Sequence, residues 1–102
     1  MEIKKAINNQ NVIFSLNGRL DTMTSPQLET EIDNTDFDGV ETVTLNMAEL
    51  EYISSAGLRV ILSLFKKMTK LGGKLKIVNV SSAVMELFTM TGMADYLEIE
   101  TA

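Results

Sequence analysis

The sequence predicts an α/β fold: a mixed sheet of four to five strands with its helices packed on one face. Three observations carry this. Apolar residues alternate with period two around 12–17, 42–47 and 74–78, and recur at three- and four-residue steps after Pro26, Ser55 and Ser82. The resulting order is β-β-α-β-α-β-α with a possible terminal β. Its strand–helix–strand units cross over right-handedly and so put their helices on one side of a sequentially built sheet. The strands are also two-faced, with Thr42, Thr44, Asn46, Lys74 and Lys76 opposite the apolar positions. A sheet covered on both faces would show near-continuous apolar strands. A doubly wound dinucleotide fold is disfavoured accordingly, and no Gly-x-Gly-x-x-Gly follows the first strand.

Each element has a local reason. Ile3 to Ile7 reads as a short strand, and Asn8-Asn9-Gln10-Asn11 as the turn into Val12–Asn17, giving an antiparallel hairpin that Gly18 ends. In Thr24-Ser25-Pro26 either hydroxyl residue caps a helix and Pro26 fits its first turn, with Leu28 and Ile32 on one face. Asn34 to Gly39 reads as a polar break. The strand Thr42–Met47 follows, and the chain then turns toward a second helix beginning at Ser54-Ser55. Leu58, Ile61, Leu62, Phe65 and Met68 form the apolar stripe of that helix, with Leu62 and Phe65 expected to anchor it, and Gly72-Gly73 stops it. Lys74–Val78 is the next strand. Ser81 or Ser82 caps a third helix carrying Val84, Leu87 and Phe88, which ends near Gly92; Tyr96 to Ile99 adds a short strand or turn.

A chain of 102 residues is expected to form one domain, spanning 1–102. Its 45% apolar content supplies a core, and its net charge of −5 argues against a nucleic-acid partner. It has no cysteine and no histidine, which removes thiol nucleophiles, zinc sites and imidazole acid–base chemistry together. No enzyme activity, cofactor or metal is expected. The opening residues lack the apolar core of a signal peptide, and no apolar run approaches the ~20 residues of a membrane span. Cytoplasmic localisation without membrane insertion is the expectation.

The informative stretch is Leu50-Glu51-Tyr52-Ile53-Ser54-Ser55-Ala56-Gly57-Leu58-Arg59. It enters a helix at two adjacent serines, where unpaired backbone N–H groups and a partial positive charge accommodate an anion. A hydroxyl there tolerates phosphorylation without loss of the helix. This stretch resembles the Asp-Ser-Ser/Thr-Gly-Leu-Gly motif of the anti-sigma factor antagonist family, the bacterial members of the STAS group. Ser54 stands for the aspartate, Ser55 for the phosphorylated serine, Ala56 for the second hydroxyl residue and Arg59 for the last glycine. Gly18-Arg19-Leu20-Asp21 is similar to the family's Gly-x-Leu-Asp loop. Leu71-Gly72-Gly73-Lys74 and Phe88-Thr89-Met90-Thr91-Gly92 match its helix-ending double glycine and its Phe-x-x-Ser/Thr-Gly signature.

The resemblance implies a STAS-like fold and a protein that binds a kinase-type anti-sigma factor to release a sigma factor. Phosphorylation of Ser55 by that GHKL-type serine kinase would end binding, and a serine phosphatase would restore it. It also implies that Asp21, Ser54, Gly57 and Arg59 lie at or beside the partner surface. The residues by themselves leave plainer readings open: Ser54 as a helix cap, Asp21 as a turn former, Gly57 as a packing glycine, Arg59 as a solvated arginine or a phosphate partner one turn after Ser55. Met23 in the first loop suits an adaptable contact surface. Two other functions remain on the same fold: a subunit of a stable assembly, such as a lipid-transport complex or stress-signalling scaffold, and a small-ligand or nucleotide-binding regulatory domain.

Overall fold

The computed structural model describes all 102 residues. The elements are β1 (Glu2–Asn8), β2 (Asn11–Leu20), α1 (Ser25–Asp33), β3 (Thr42–Ile53), α2 (Ser55–Lys70), β4 (Lys74–Val80), α3 (Ser82–Met90), a single 3-10 turn (Met93–Asp95) and β5 (Glu98–Thr101). The sheet has the order β1-β2-β3-β4-β5, antiparallel between β1 and β2 and parallel thereafter. The expected mixed sheet and element order are therefore present, with the terminal strand included.

Register explains the single core. Val12, Phe14 and Leu16 lie beside Val43, Leu45 and Met47, and these beside Leu75 and Ile77, all on the face that α1, α2 and α3 cover. Ile13, Ser15, Thr42, Thr44, Asn46 and Lys76 point to the other face and stay half-exposed. Sequential parallel strands with right-handed crossovers leave that face open, so polar side chains there cost nothing in desolvation.

Four expectations are corrected. Gly18 does not end β2, which continues to Leu20; the glycine sits inside the strand with φ +113°, a conformation that a side chain disfavours. β3 likewise continues past Met47 to Ile53, pairing with β2 through Leu20↔Ile53. Alternation fails after Met47 because the β2–β3 ladder shifts register between Ser15 and Asn17 and again between Gly18 and Arg19. Each shift inserts one extra β3 residue, a bulge that bends and re-aims the strand. Asn46 Oδ1 accepts from Ala48 N–H at 3.1 Å and holds the first bulge. The third correction is the polar break 34–39, which delivers Phe37 and Thr35 to buried positions. The Lys5 ammonium donates to Thr35 Oγ1 at 3.3 Å, and Lys67 lies 5.2 Å over the Phe37 ring.

The fourth correction concerns α2. Ile61, Leu64 and Met68 are its fully buried anchors, while Leu62 and Phe65 are only partly covered at the flank. Leu64 completes the Ile61–Leu64–Met68 row, spaced three and four apart, whereas Phe65 turns one residue further toward Tyr96, its ring 5.9 Å away. Removing the Leu64 side chain is expected to cost about 2–5 kcal/mol, as a buried Leu→Ala change leaves a cavity. Phe65→Ala should cost less than Leu64→Ala in urea melts; the reverse order would reject this assignment of the buried row.

Candidate functional site

Three loops gather at the carboxyl ends of the parallel strands, and two of them are locked together. β2 ends at Leu20, whose carbonyl accepts from Ser54 N–H at 2.8 Å, extending the strand pairing to the residue before α2. Ser54 has extended backbone and acts as the N-cap of α2. Its carbonyl accepts from Leu58 N–H, and its Oγ accepts from Gly57 N–H at 3.3 Å. Because that hydroxyl oxygen serves the cap, Ser54 stands half-buried in the fold while Ser55, the first helical residue, is exposed.

Gly57 brings the first turn of α2 onto the end of β2. A Cβ placed there would lie 2.7 Å from Leu20 Cγ and 3.0 Å from the Leu20 carbonyl oxygen. Leu20 is fully buried and has no room to retreat. The glycine is thus a packing requirement, and it sets Ser55 beside the Asp21 loop.

Asp21 organises that loop. Its Oδ1 accepts from the N–H groups of Met23 at 3.0 Å and Thr24 at 3.1 Å, and its own carbonyl accepts both the N–H and the hydroxyl of Ser25. Thr24 occupies the N-cap position of α1 without capping the helix. Its hydroxyl donates to the Arg19 carbonyl at 2.7 Å and accepts from Asp21 N–H at 2.9 Å. Spacing alone exposed Thr24 as a cap candidate; its role as clasp of the Asp21-Thr22-Met23-Thr24 loop needed the fold. The loop displays Met23, almost fully exposed, at its tip. The Thr24 N–H is the main cause that holds the Asp21 carboxyl below its ordinary 3.8, helped by the Thr24 hydroxyl, Met23 N–H and the charge of Arg19, against an opposing desolvation.

The structure therefore brings Asp21, Ser54 and Ser55 into one surface patch, with Gly57 buried beneath it against Leu20 and Arg59 exposed one helical turn beyond Ser55. Arg59 borders a shallow groove between α1 and α2, together with Thr22, Pro26, Glu29 and Ala56. Arg19, whose charge reaches Asp21, stacks 4.4 Å over the Tyr52 ring on the neighbouring strand. The titratable residues form no group able to hold a metal ion, and no helix is long and apolar enough to cross a membrane.

Comparison with known proteins places this arrangement among relatives. The STAS domain family model matches residues 2–102. The anti-sigma-B factor antagonist of Bacillus subtilis (strain 168) is 28% identical over 92 residues, covering 90% of this chain and 84% of its own. BtrV of Bordetella bronchiseptica, whose name marks it as a proposed anti-sigma factor antagonist, is 35% identical over 81 residues, covering 79% and 70%. The Bacillus anti-sigma factor antagonist SpoIIAA superimposes in its unphosphorylated form with a TM-score of 0.75 at 19% identity, covering 99% and 88%. Its phosphorylated form gives 0.74 at 20% identity, covering 98% and 92%.

Two outcomes follow from the geometry. Gly57→Ala gains up to about 1 kcal/mol of helix propensity but forces overpacking against Leu20, typically ~1–3 kcal/mol, so net destabilisation is expected in thermal or urea melts. A stabilised Gly57→Ala protein would refute the close approach. For Asp21, a depressed folded-state pKa means its contribution is present above the unfolded value and lost as pH falls through the folded one. NMR titration of the Asp21 carboxyl and the Thr24 amide should show a common midpoint below 3.8, and Asp21→Asn should abolish the Thr24 response. A midpoint at or above 3.8 would contradict the hydrogen-bonded loop.

Proposed function

The chain belongs to the STAS domain family, matched over residues 2–102, and on that premise we propose that it is an anti-sigma factor antagonist switched by phosphorylation of Ser55. The unmodified protein binds a kinase-type anti-sigma factor through the patch formed by the Asp21 loop and the start of α2, releasing a sigma factor. The partner's phosphoryl transfer to Ser55 ends that binding, and a serine phosphatase resets it. In this reading the domain itself catalyses nothing; the phosphoryl chemistry belongs to its partners, and the protein works in the cytoplasm.

One observation carries the reading: of the two adjacent serines, Ser54 is committed to capping α2 and Ser55 is exposed as its first residue. The names of the relatives support the partner class. That SpoIIAA is known in both unphosphorylated and phosphorylated forms supports the modification.

Magnitudes favour a switch that acts on binding and spares the fold. A phosphate adds about −1.5 to −2 charge. At a helix N-terminus this favours the folded state by about 0.3–1 kcal/mol. Enclosed in an interface, the same charge would be desolvated at a cost of several kcal/mol, so ~10²-fold or more in affinity. The net charge of −5 offers little general compensation.

Ser55→Ala should therefore bind the cognate anti-sigma kinase constitutively. Ser55→Asp should bind it at least tenfold more weakly while melting within a few degrees of the parent. Titration calorimetry of both variants measures this. Equal affinities with both variants folded would reject Ser55 as the switch and favour a constitutive subunit of a stable assembly.

A further inference from the structure

Two helices of this protein begin in the same way. Ser81 caps α3 as Ser54 caps α2, each Oγ accepting from the N–H three residues on at 3.3 Å. Each cap is followed by an exposed serine, Ser55 in α2 and Ser82 in α3, and neither helix has an acidic residue in its first turn. Backbone N–H groups and the helix dipole therefore treat the two serines alike. The side chain one turn further on does not. Four residues after Ser55 stands Arg59, and four residues after Ser82 stands Glu86, both exposed.

Residues four apart on a helix face each other, with Cβ atoms about 5–6 Å apart. Arg59 is engaged in no ion pair; the one salt bridge in the molecule joins Lys76 and Glu98 at 4.0 Å. The charged groups nearest this end are Asp21 in the β2–α1 loop, whose carboxyl already feels the charge of Arg19, and Glu29 across the groove on α1. Arg59 is thus a guanidinium without a carboxylate partner, one turn from the hydroxyl.

We propose that Arg59 is the internal counter-ion of a phosphate on Ser55, forming a charge-assisted clasp along the first turn of α2 that the Ser82–Glu86 pair cannot form. Guanidinium matches phosphate oxygens in a planar fork. The clasp has a regulatory consequence. Before modification the patch presents a hydroxyl and a free cation to its partner. After it, the cation is drawn onto the protein's own phosphate and the patch carries net negative charge. One modification withdraws both features. Arg59 acts here as a positioning residue for the phosphate and takes no part in its transfer.

The inference rests on Ser55 being the modified residue, and the test is chosen so that either can fail alone. Phosphoserine is installed genetically at position 55, in the parent and in Arg59→Gln and Arg59→Lys, and at position 82 in the parent. The second pKa of each phosphate is read by phosphorus NMR at low salt. An exposed i,i+4 ion pair corresponds to a shift of about 0.3 unit. The phosphate at 55 should titrate lower in the parent by about that much than in Arg59→Gln, with Arg59→Lys recovering most of the shift. The phosphate at 82 should titrate above the phosphate at 55. Identical titration in the parent and Arg59→Gln, or a phosphate at 82 titrating at or below that at 55, would overturn the clasp. Because the phosphate is supplied chemically, the result stands whether or not a kinase ever modifies Ser55.

Discussion

The structure depends on how closely the first turn of α2 approaches the end of β2. Gly57 makes that approach possible, since a side chain there would collide with the buried Leu20. The Ser54 N–H closes the contact by donating to the Leu20 carbonyl. Everything functional is measured from this junction. Leu20 precedes Asp21, so the loop that displays Met23 is fixed on one side. Ser54 precedes Ser55, so the exposed hydroxyl is fixed on the other. A residue that packs and a residue that caps together join two separate loops into one patch.

A patch held this way suits the charge-operated switch proposed above. The patch is built from backbone hydrogen bonds and short side chains already satisfied among themselves: Asp21 with Met23 and Thr24, Thr24 with Arg19, Ser54 with Gly57. The Ser55 hydroxyl takes part in none of these bonds, so a phosphate there would displace none of them. It would find a helix terminus that tolerates negative charge. On the proposed reading, the physical burden of phosphorylation falls on the interface and spares the domain.

Much of this was legible in the sequence, for identifiable reasons. Period-two strands such as Thr42–Met47 and the spaced apolar stripe of α2 gave the element order, and one-faced alternation gave the open side of the sheet. The serine pair, Gly57 and Asp21 were visible as motif residues, and the fold gathers them. What the sequence concealed was long-range. The bulges opposite Asn17 and Arg19 carry β3 through a non-alternating stretch, so the period-two pattern ends at Met47 while the strand does not. Phe37 looked like part of a polar loop because its partners are distant in sequence. Helical spacing fits Leu64 and Phe65 equally, and only the position of the sheet decides which row faces inward. The clasping role of Thr24 was hidden for the same reason, since its acceptor is a carbonyl on the preceding strand.

The central claim is that modification at Ser55 rewrites a surface and leaves the fold as it is. The most direct measurement is the amide NMR spectrum of the protein with phosphoserine at 55, assigned against the unmodified protein, together with amide exchange rates. The account predicts shifts confined to the patch, at 20–24 and 54–60, with unchanged protection of the β2, β3 and β4 core. Shifts spread through those strands, or loss of their protection, would show that the phosphate acts by loosening the domain and would contradict the account.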